Sequence, residues 1–170
     1  MPQIRTLGAA TALVAAGVMV LSSVAAAHHP HFGPWEFDIR WVGTDGDDEY
    51  TAPDESRDLI IGLAGNDALV AGDRRDVLLG NAGNDNIQGG AGRDKNKGGH
   101  GEDRLAGGPQ PDTILGGPGD DGINGQGGPD VIRAGRGNDL IIANDGRRDW
   151  IDCGPGKDTV KADRRDRVSR

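Results

Sequence analysis

Aliphatic residues recur along most of this chain at a spacing that no helix uses. Ile60, Leu69, Leu78, Ile87, Leu105, Ile114, Ile123, Ile132 and Ile141 follow a nine-residue step, with Asn96 the one break in the column. A helix repeats its buried positions every 3.6 residues and a strand every two, so a period of nine belongs to a repeated structural unit. Within each unit the aliphatic is the centre of a three-residue stretch, x-U-x, that reads as a very short strand with its middle side chain inward. One such unit cannot bury its single Leu or Ile. Stacked units can, so the pattern predicts a parallel solenoid with two short sheets back to back.

An aspartate stands two residues before each position of that column: Asp58, Asp67, Asp76, Asp85, Asp94, Asp103, Asp112, Asp121, Asp130 and Asp139. A glycine-rich run precedes each. Gly89-Gly90-Ala91-Gly92-Arg93-Asp94 and Gly116-Gly117-Pro118-Gly119-Asp120-Asp121 are the cleanest copies. Glycine permits positive φ, so these six residues form a tight turn in which backbone carbonyls converge and the aspartate adds a carboxylate. The register continues less cleanly at Asp48/Tyr50, Asp149/Ile151, Asp158/Val160 and Asp166/Val168, with one-residue slips.

Composition sharpens this picture. Thirty glycines in 170 residues, with 35% hydrophobic and 4% aromatic, argue against a conventional core, because so much glycine makes backbone ordering costly. No G-X-Y period is present, which excludes collagen. Cys153 is the only cysteine, which excludes a disulfide framework. A formal net charge of -8 disfavours a dedicated nucleic-acid binder. A glycine-rich solvated linker would have no reason to keep an aliphatic column in phase. Residues 1–27 read as a secretory signal peptide: Arg5, an uncharged apolar run, then Ala25-Ala26-Ala27 fitting the A-x-A cleavage rule. An uncleaved anchor is the competing reading. Cleavage would place a chain of net charge -9 in an oxidising, calcium-rich extracellular space, with no second apolar stretch able to span a membrane.

The G-G-x-G-x-D-x-U-x units resemble the RTX, or haemolysin-type, calcium-binding nonapeptide repeat. The resemblance implies a right-handed parallel β-roll, an all-β solenoid with two repeats per coil. It implies calcium in the turns, held by backbone carbonyls and the aspartate of one loop, and by the aspartate one coil onward. Carried onto this chain, Asp67, Asp85, Asp103, Asp121 and Asp139 would line one edge and Asp58, Asp76, Asp94, Asp112 and Asp130 the other. Gly65, Gly83, Gly90, Gly92, Gly99, Gly101, Gly117, Gly119 and Gly137 belong to the same turns and complete the expected metal set. The expected organisation is a signal peptide (1–27), a segment at 28–42 able to cap the solenoid, the roll (43–168, most regular over 53–142) and a two-residue tail. Calcium suits flexible all-oxygen sites better than magnesium, which demands an octahedron, or zinc, which prefers nitrogen and sulfur. The regular units imply about eight ions between successive coils, and a chain that folds only once they cancel its acidic rows.

Several positions depart from the pattern. Arg74 and Gln110 replace a late glycine, while Leu63, Asn81 and Gln126 replace an early one. Arg-Arg-Asp recurs at 74–76, 147–149 and 164–166, so Arg74, Arg148 and Arg165 are expected either to substitute internally for a calcium or to lie exposed. Asn96 puts a polar group on the inner column. Leu59, Ile61, Val77 and Leu79 form an outward apolar patch. Phe32, Trp35, Phe37, Trp41 and Tyr50 lie just upstream, and residues 32–50 are expected to fold over that patch as a cap, with a carbohydrate or partner surface as the rival.

Catalytic constellations are absent. Ser56 and Ser169 sit in no G-x-S-x-G, and there is no H-E-x-x-H. The expectation is a non-enzymatic calcium-binding protein with a structural or surface role. The alternative is a small copper-dependent enzyme using His28, exposed by cleavage and followed by His29 and His31. His100 reads as a solvated loop residue. Cys153 stands where a loop glycine is expected, and a lone thiol in a secreted protein could form an intermolecular disulfide. A protein or polysaccharide partner is left open.

Overall fold

The computed structural model describes Phe37, residues 39–53 and residues 55–170. Fifteen strands follow one another: β1 (Ile39–Val42), β2 (Glu49–Thr51), β3 (Asp58–Ala64), β4 (Ala68–Val70), β5 (Val77–Ala82), β6 (Asn86–Gln88), β7 (Lys95–His100), β8 (Arg104–Gly108), β9 (Thr113–Pro118), β10 (Gly122–Gln126), β11 (Val131–Arg136), β12 (Leu140–Ala143), β13 (Trp150–Asp152), β14 (Thr159–Ala162) and β15 (Arg167–Ser169). Odd-numbered strands form one parallel sheet of eight and even-numbered strands a second of seven. Every coil of chain therefore contributes one strand to each sheet. This is the parallel β-roll that the nine-residue period predicts.

Register follows the aliphatic column. Ile60 pairs with Leu78, Leu78 with Asn96, Asn96 with Ile114 and Ile114 with Ile132 in one sheet. Leu69, Ile87, Leu105, Ile123 and Ile141 pair in the same way in the other. These side chains are at most 2% exposed and meet between the sheets as a core one residue thick per strand. The slips are absorbed in the turns: Ile132 pairs with Ile151 and Ile151 with Val168, so the columns stay aligned although those coils differ in length. Val168, on the last strand, is 44% exposed although it continues the inner column.

Strand pairing starts at Ile39. Trp41 pairs with Ile60 and Tyr50 with Leu69, so both aromatics enter the inner columns as a first coil. Their rings stack at 4.7 Å with an interplanar angle of 18°. Residues 39–51 thus add edge to edge onto β3 and β4 and do not lie across the outward patch. Leu59, Ile61, Val77 and Leu79 remain half-buried on that face. Phe32 and Trp35 lie outside the described residues, as do the signal-peptide segment and His28, His29 and His31. Among the described residues no helix is long and apolar enough to cross a membrane.

Asn96 is buried in the inner column, where its Nδ2 donates to the Ala106 carbonyl at 2.8 Å. Its Oδ1 is buried without a partner, which makes this the least satisfied rung of the core. Cys153 is completely buried in the core cluster, and burial pushes its thiol up. The expectation of an intermolecular disulfide is corrected by this: the small side chain packs inward, where a loop glycine was expected, and offers no sulfur at the surface. A thiol reagent is expected to label Cys153 slowly in calcium and rapidly in excess chelator. Equal rates in both would contradict either the burial or the metal-dependent fold.

Leu63, Asn81 and Gln126 all adopt positive φ, at 87°, 80° and 66°. At these three positions the left-handed conformation is kept although glycine is replaced. For Leu63, which is 38% exposed, the conformation brings no burial in return. Leu63→Gly is expected to stabilise the roll by about 0.5–1 kcal/mol. Relief of roughly 1–2 kcal/mol of left-handed strain exceeds glycine's entropic cost of about 0.5–1 kcal/mol. A urea midpoint at saturating calcium measures it.

Candidate metal centre

Each turn ends by carrying its aspartate side chain inward, just before the strand. All ten aspartates of the regular repeats are at most 3% exposed, and Asp149 joins them at 1%. They form two rows, one along each edge of the roll. Asp67, Asp85, Asp103, Asp121 and Asp139 run between Asp48 and Asp158; Asp58, Asp76, Asp94, Asp112 and Asp130 lead to Asp149 and Asp166.

A single hydrogen-bond pattern links each row. The amide N–H of one aspartate donates to Oδ1 of the aspartate one coil onward. Asp85 donates to Asp103 at 2.8 Å and Asp103 to Asp121 at 2.9 Å; Asp94 donates to Asp112 at 2.8 Å and Asp112 to Asp130 at 2.9 Å. The second carboxylate oxygen is left over. Oδ2 of Asp67, Asp76, Asp85, Asp94, Asp103, Asp112, Asp121, Asp130 and Asp139 is buried with no hydrogen-bond partner. One isolated orphan would be a defect; nine in register are a built feature.

At seven of the nine, a glycine makes the space the oxygen occupies, while Ala71 and Ala134 hold that position before Asp76 and Asp139. A Cβ on Gly107 would sit 2.6 Å from Asp112 Oδ2 and 2.7 Å from the Gly125 carbonyl oxygen. A Cβ on Gly89 would sit 2.8 Å from Asp94 Oδ2 and 2.6 Å from the Gly107 oxygen. Gly62, Gly80, Gly98 and Gly116 stand in the same relation to Asp67, Asp85, Asp103 and Asp121. A carboxylate oxygen and a carbonyl oxygen of the next coil thus converge where a side chain would otherwise be; at Gly89 the Nδ2 of Asn96 lies beside them, but Asp94 Oδ2 accepts no hydrogen bond. Such a donor set repels itself and suits a hard cation.

Burial raises these carboxyls well above their ordinary range. Asp94 is pushed up to about 8, Asp76, Asp121 and Asp130 to about 7, and Asp67, Asp103, Asp112 and Asp149 to about 6. Desolvation is the largest cause in each, opposed by the amide hydrogen bond, and for most the like-charged aspartates of adjacent coils add to the rise. Asp85 and Asp139 are raised for the same leading reason. Among the described residues no three carboxylate, imidazole or thiol side chains converge on one point. Any ion here would take its remaining ligands from backbone carbonyls.

The expected turn glycines Gly65, Gly83, Gly90, Gly92, Gly99, Gly101, Gly117, Gly119 and Gly137 all have positive φ. Their Cα positions face the carbonyl of the coil before; Gly119, for example, lies against the Gly101 oxygen. Gly62, Gly80, Gly98, Gly107, Gly116 and Gly125 were not among the expected site residues, although each stands five residues before an aspartate of the clock. Asp149 was left out of the expected set because it follows a one-residue slip.

The internal-arginine expectation is corrected. Arg74, Arg148 and Arg165 are exposed. The inner side of the turn is filled by carbonyls of adjacent coils: the backbone oxygen of Arg74, not its guanidinium, lies against Gly92. Arg165 Nη1 donates to the Gly146 carbonyl at 2.8 Å on the outer side. Gln110 is used differently, its Oε1 accepting from the Gly92 amide at 2.7 Å.

Two rows of buried, metal-ready carboxylates along a parallel roll define a class of repeat protein whose turns take cations. The RTX calcium-binding nonapeptide repeat matches in four copies, at residues 54–73, 61–95, 97–132 and 125–160. The chain belongs to that family, and its repeats are calcium-binding repeats. No curated protein and no solved structure matches it.

Proposed function

We propose that this chain is a secreted, non-enzymatic calcium-binding protein that folds as it loads about eight ions, and that serves a structural or surface-associated role. The carrying observation is the two rows of orphaned, buried Oδ2 atoms, nine in all, seven of them beside glycine-made space. The ligands are Asp58, Asp67, Asp76, Asp85, Asp94, Asp103, Asp112, Asp121, Asp130 and Asp139, with carbonyls of the turns that Gly65, Gly83, Gly90, Gly92, Gly99, Gly101, Gly117, Gly119 and Gly137 make possible. Bound calcium would supply positive charge within each row. The chain positions the oxygens, excludes water from them and keeps successive carboxylates one coil apart. The apolar run closed by Ala25-Ala26-Ala27 supports secretion.

Circular dichroism and calorimetry with calcium test this together. The β signal is expected to be lost in excess chelator and regained cooperatively with several ions per chain. Asp103→Asn, in the middle of its row, is expected to lower the stoichiometry and raise the calcium midpoint. A full β signal after exhaustive chelation, or an unchanged stoichiometry in the variant, would sink the reading.

A further inference from the structure

We infer that the C-terminal coils carry a second site, a groove for a linear uronate-bearing polysaccharide, laid between Trp150 and a cluster of arginines. Trp150 is the outward residue that opens β13 and is 59% exposed, whereas Trp41 is 2% exposed in the core. Its strand neighbours are Val131 on one side and Arg167 on the other. A concavity beside the indole is lined by Pro129, Arg148 and Arg167. A second runs round the adjoining edge, shares Pro129 and Arg148 with the first, and adds Arg147 and Arg165. The two concavities meet at Pro129 and Arg148, and their linings together hold Trp150 and four arginines, on a chain whose net charge is -8.

The acids along this path are already engaged. Asp145 accepts from the Gly128 amide at 2.8 Å and from the Arg147 amide at 2.7 Å. Asp130 and Asp149 are buried in the carboxylate row. Arg165, which lines the second concavity, is steadied by its hydrogen bond to the Gly146 carbonyl.

A guanidinium fork matches a carboxylate in two parallel hydrogen bonds. A flat, rigid indole with one face in water matches the apolar C–H face of a pyranose ring. Phosphate alone would use the arginines and leave the indole idle. A single-stranded nucleic acid would need a longer cationic track and several stacking platforms. An acidic sugar chain uses both features at once.

The full chain is titrated by calorimetry with a hexasaccharide alternating glucuronate and N-acetylhexosamine. A neutral hexasaccharide, inorganic phosphate and oligothymidylate are the comparison probes. Binding is expected for the acidic hexasaccharide, at least tenfold tighter than for any comparison probe and weakening with salt. Trp150→Thr and, separately, the pair Arg148→Gln and Arg167→Gln are each expected to weaken it at least tenfold, the pair also flattening the salt dependence. The β signal is followed on the same samples, and titrations are run where it is present, so loss of the fold and loss of the groove read differently. If Trp150→Thr does not fold, the arginine pair decides. Equal binding of the neutral sugar, tighter binding of phosphate or oligothymidylate, or unchanged affinity in the folded variants overturns the inference and leaves the calcium reading untouched.

Discussion

Gly119→Ala is expected to destabilise the calcium-loaded roll by about 4 kcal/mol or more, while Gly146→Ala costs only about 1–2 kcal/mol. Both glycines have positive φ, 146° and 85°. Both substitutions therefore carry the left-handed penalty of an L-residue. They differ in what the new methyl meets. At Gly146 nothing lies within 4 Å. At Gly119 the methyl would fall on the Gly101 carbonyl oxygen and 2.5 Å from its carbon. That oxygen belongs to backbone one coil earlier, held by the sheet register, so it cannot swing aside as a side chain would. The coils sit about 4.8 Å apart, and a methyl at this point forces them open. Opening them also pulls apart the Asp103 to Asp121 hydrogen bond immediately alongside, at 2.9 Å. Urea unfolding at saturating calcium, with the calcium midpoint as second readout, compares the two variants. Equal costs would mean that turn stacking contributes nothing beyond local backbone preference.

Much of this architecture is legible in the order of residues because the repeat is short and its constraints are local. A column of Leu and Ile at a nine-residue step leaves one way to bury itself, and the sheets pair Ile60 with Leu78 and Leu69 with Ile87 as that column requires. The two aspartate rows follow from the same arithmetic. What stayed hidden depends on direction. Sequence places Gly62 and Gly80 five residues before aspartates but does not say that their missing Cβ makes space for the Oδ2 of Asp67 and Asp85. Nor does it say that Asn66 and Asn84 build a second ladder outside the first, with the Asn84 amide donating to Asn66 Oδ1 at 2.8 Å and the Glu102 amide to Asn84 Oδ1 at 2.8 Å. The arginines misled for a related reason. An Arg-Arg-Asp triplet places opposite charges side by side in sequence, yet the turn sends the aspartate inward and the guanidinium outward. Trp41 and Tyr50 illustrate the limit of counting: they stand one residue out of step with the aliphatic column, yet they pair with Ile60 and Leu69 and enter the inner columns, and their bulk disguised them as something laid over the roll.

In chelator, the β signal that survives is expected to grow as pH falls from 8 toward 5, the reverse of ordinary acid denaturation. The sign follows from the direction of the carboxyl shifts. An exposed aspartate in the unfolded chain titrates near 3.8, whereas the folded roll holds Asp103 and Asp112 at about 6, Asp121 and Asp130 at about 7 and Asp94 at about 8. Between those limits the folded chain binds protons that the unfolded chain has released, so its metal-free stability falls as pH rises through the window. Deprotonation leaves each carboxylate buried, one oxygen held by an amide and the other by nothing, with like charges on either side. A proton or a cation relieves that arrangement, and the two compete for the same oxygens. The calcium midpoint is therefore expected to rise as pH falls from 8 to 5, since each ion must displace protons to bind. The two trends run in opposite directions from a single cause. Chelator series and calcium titrations by circular dichroism at pH 5, 6, 7 and 8 measure both. A metal-free β signal that strengthened toward pH 8, or a calcium midpoint indifferent to pH, would show that the buried rows are not where the ions act.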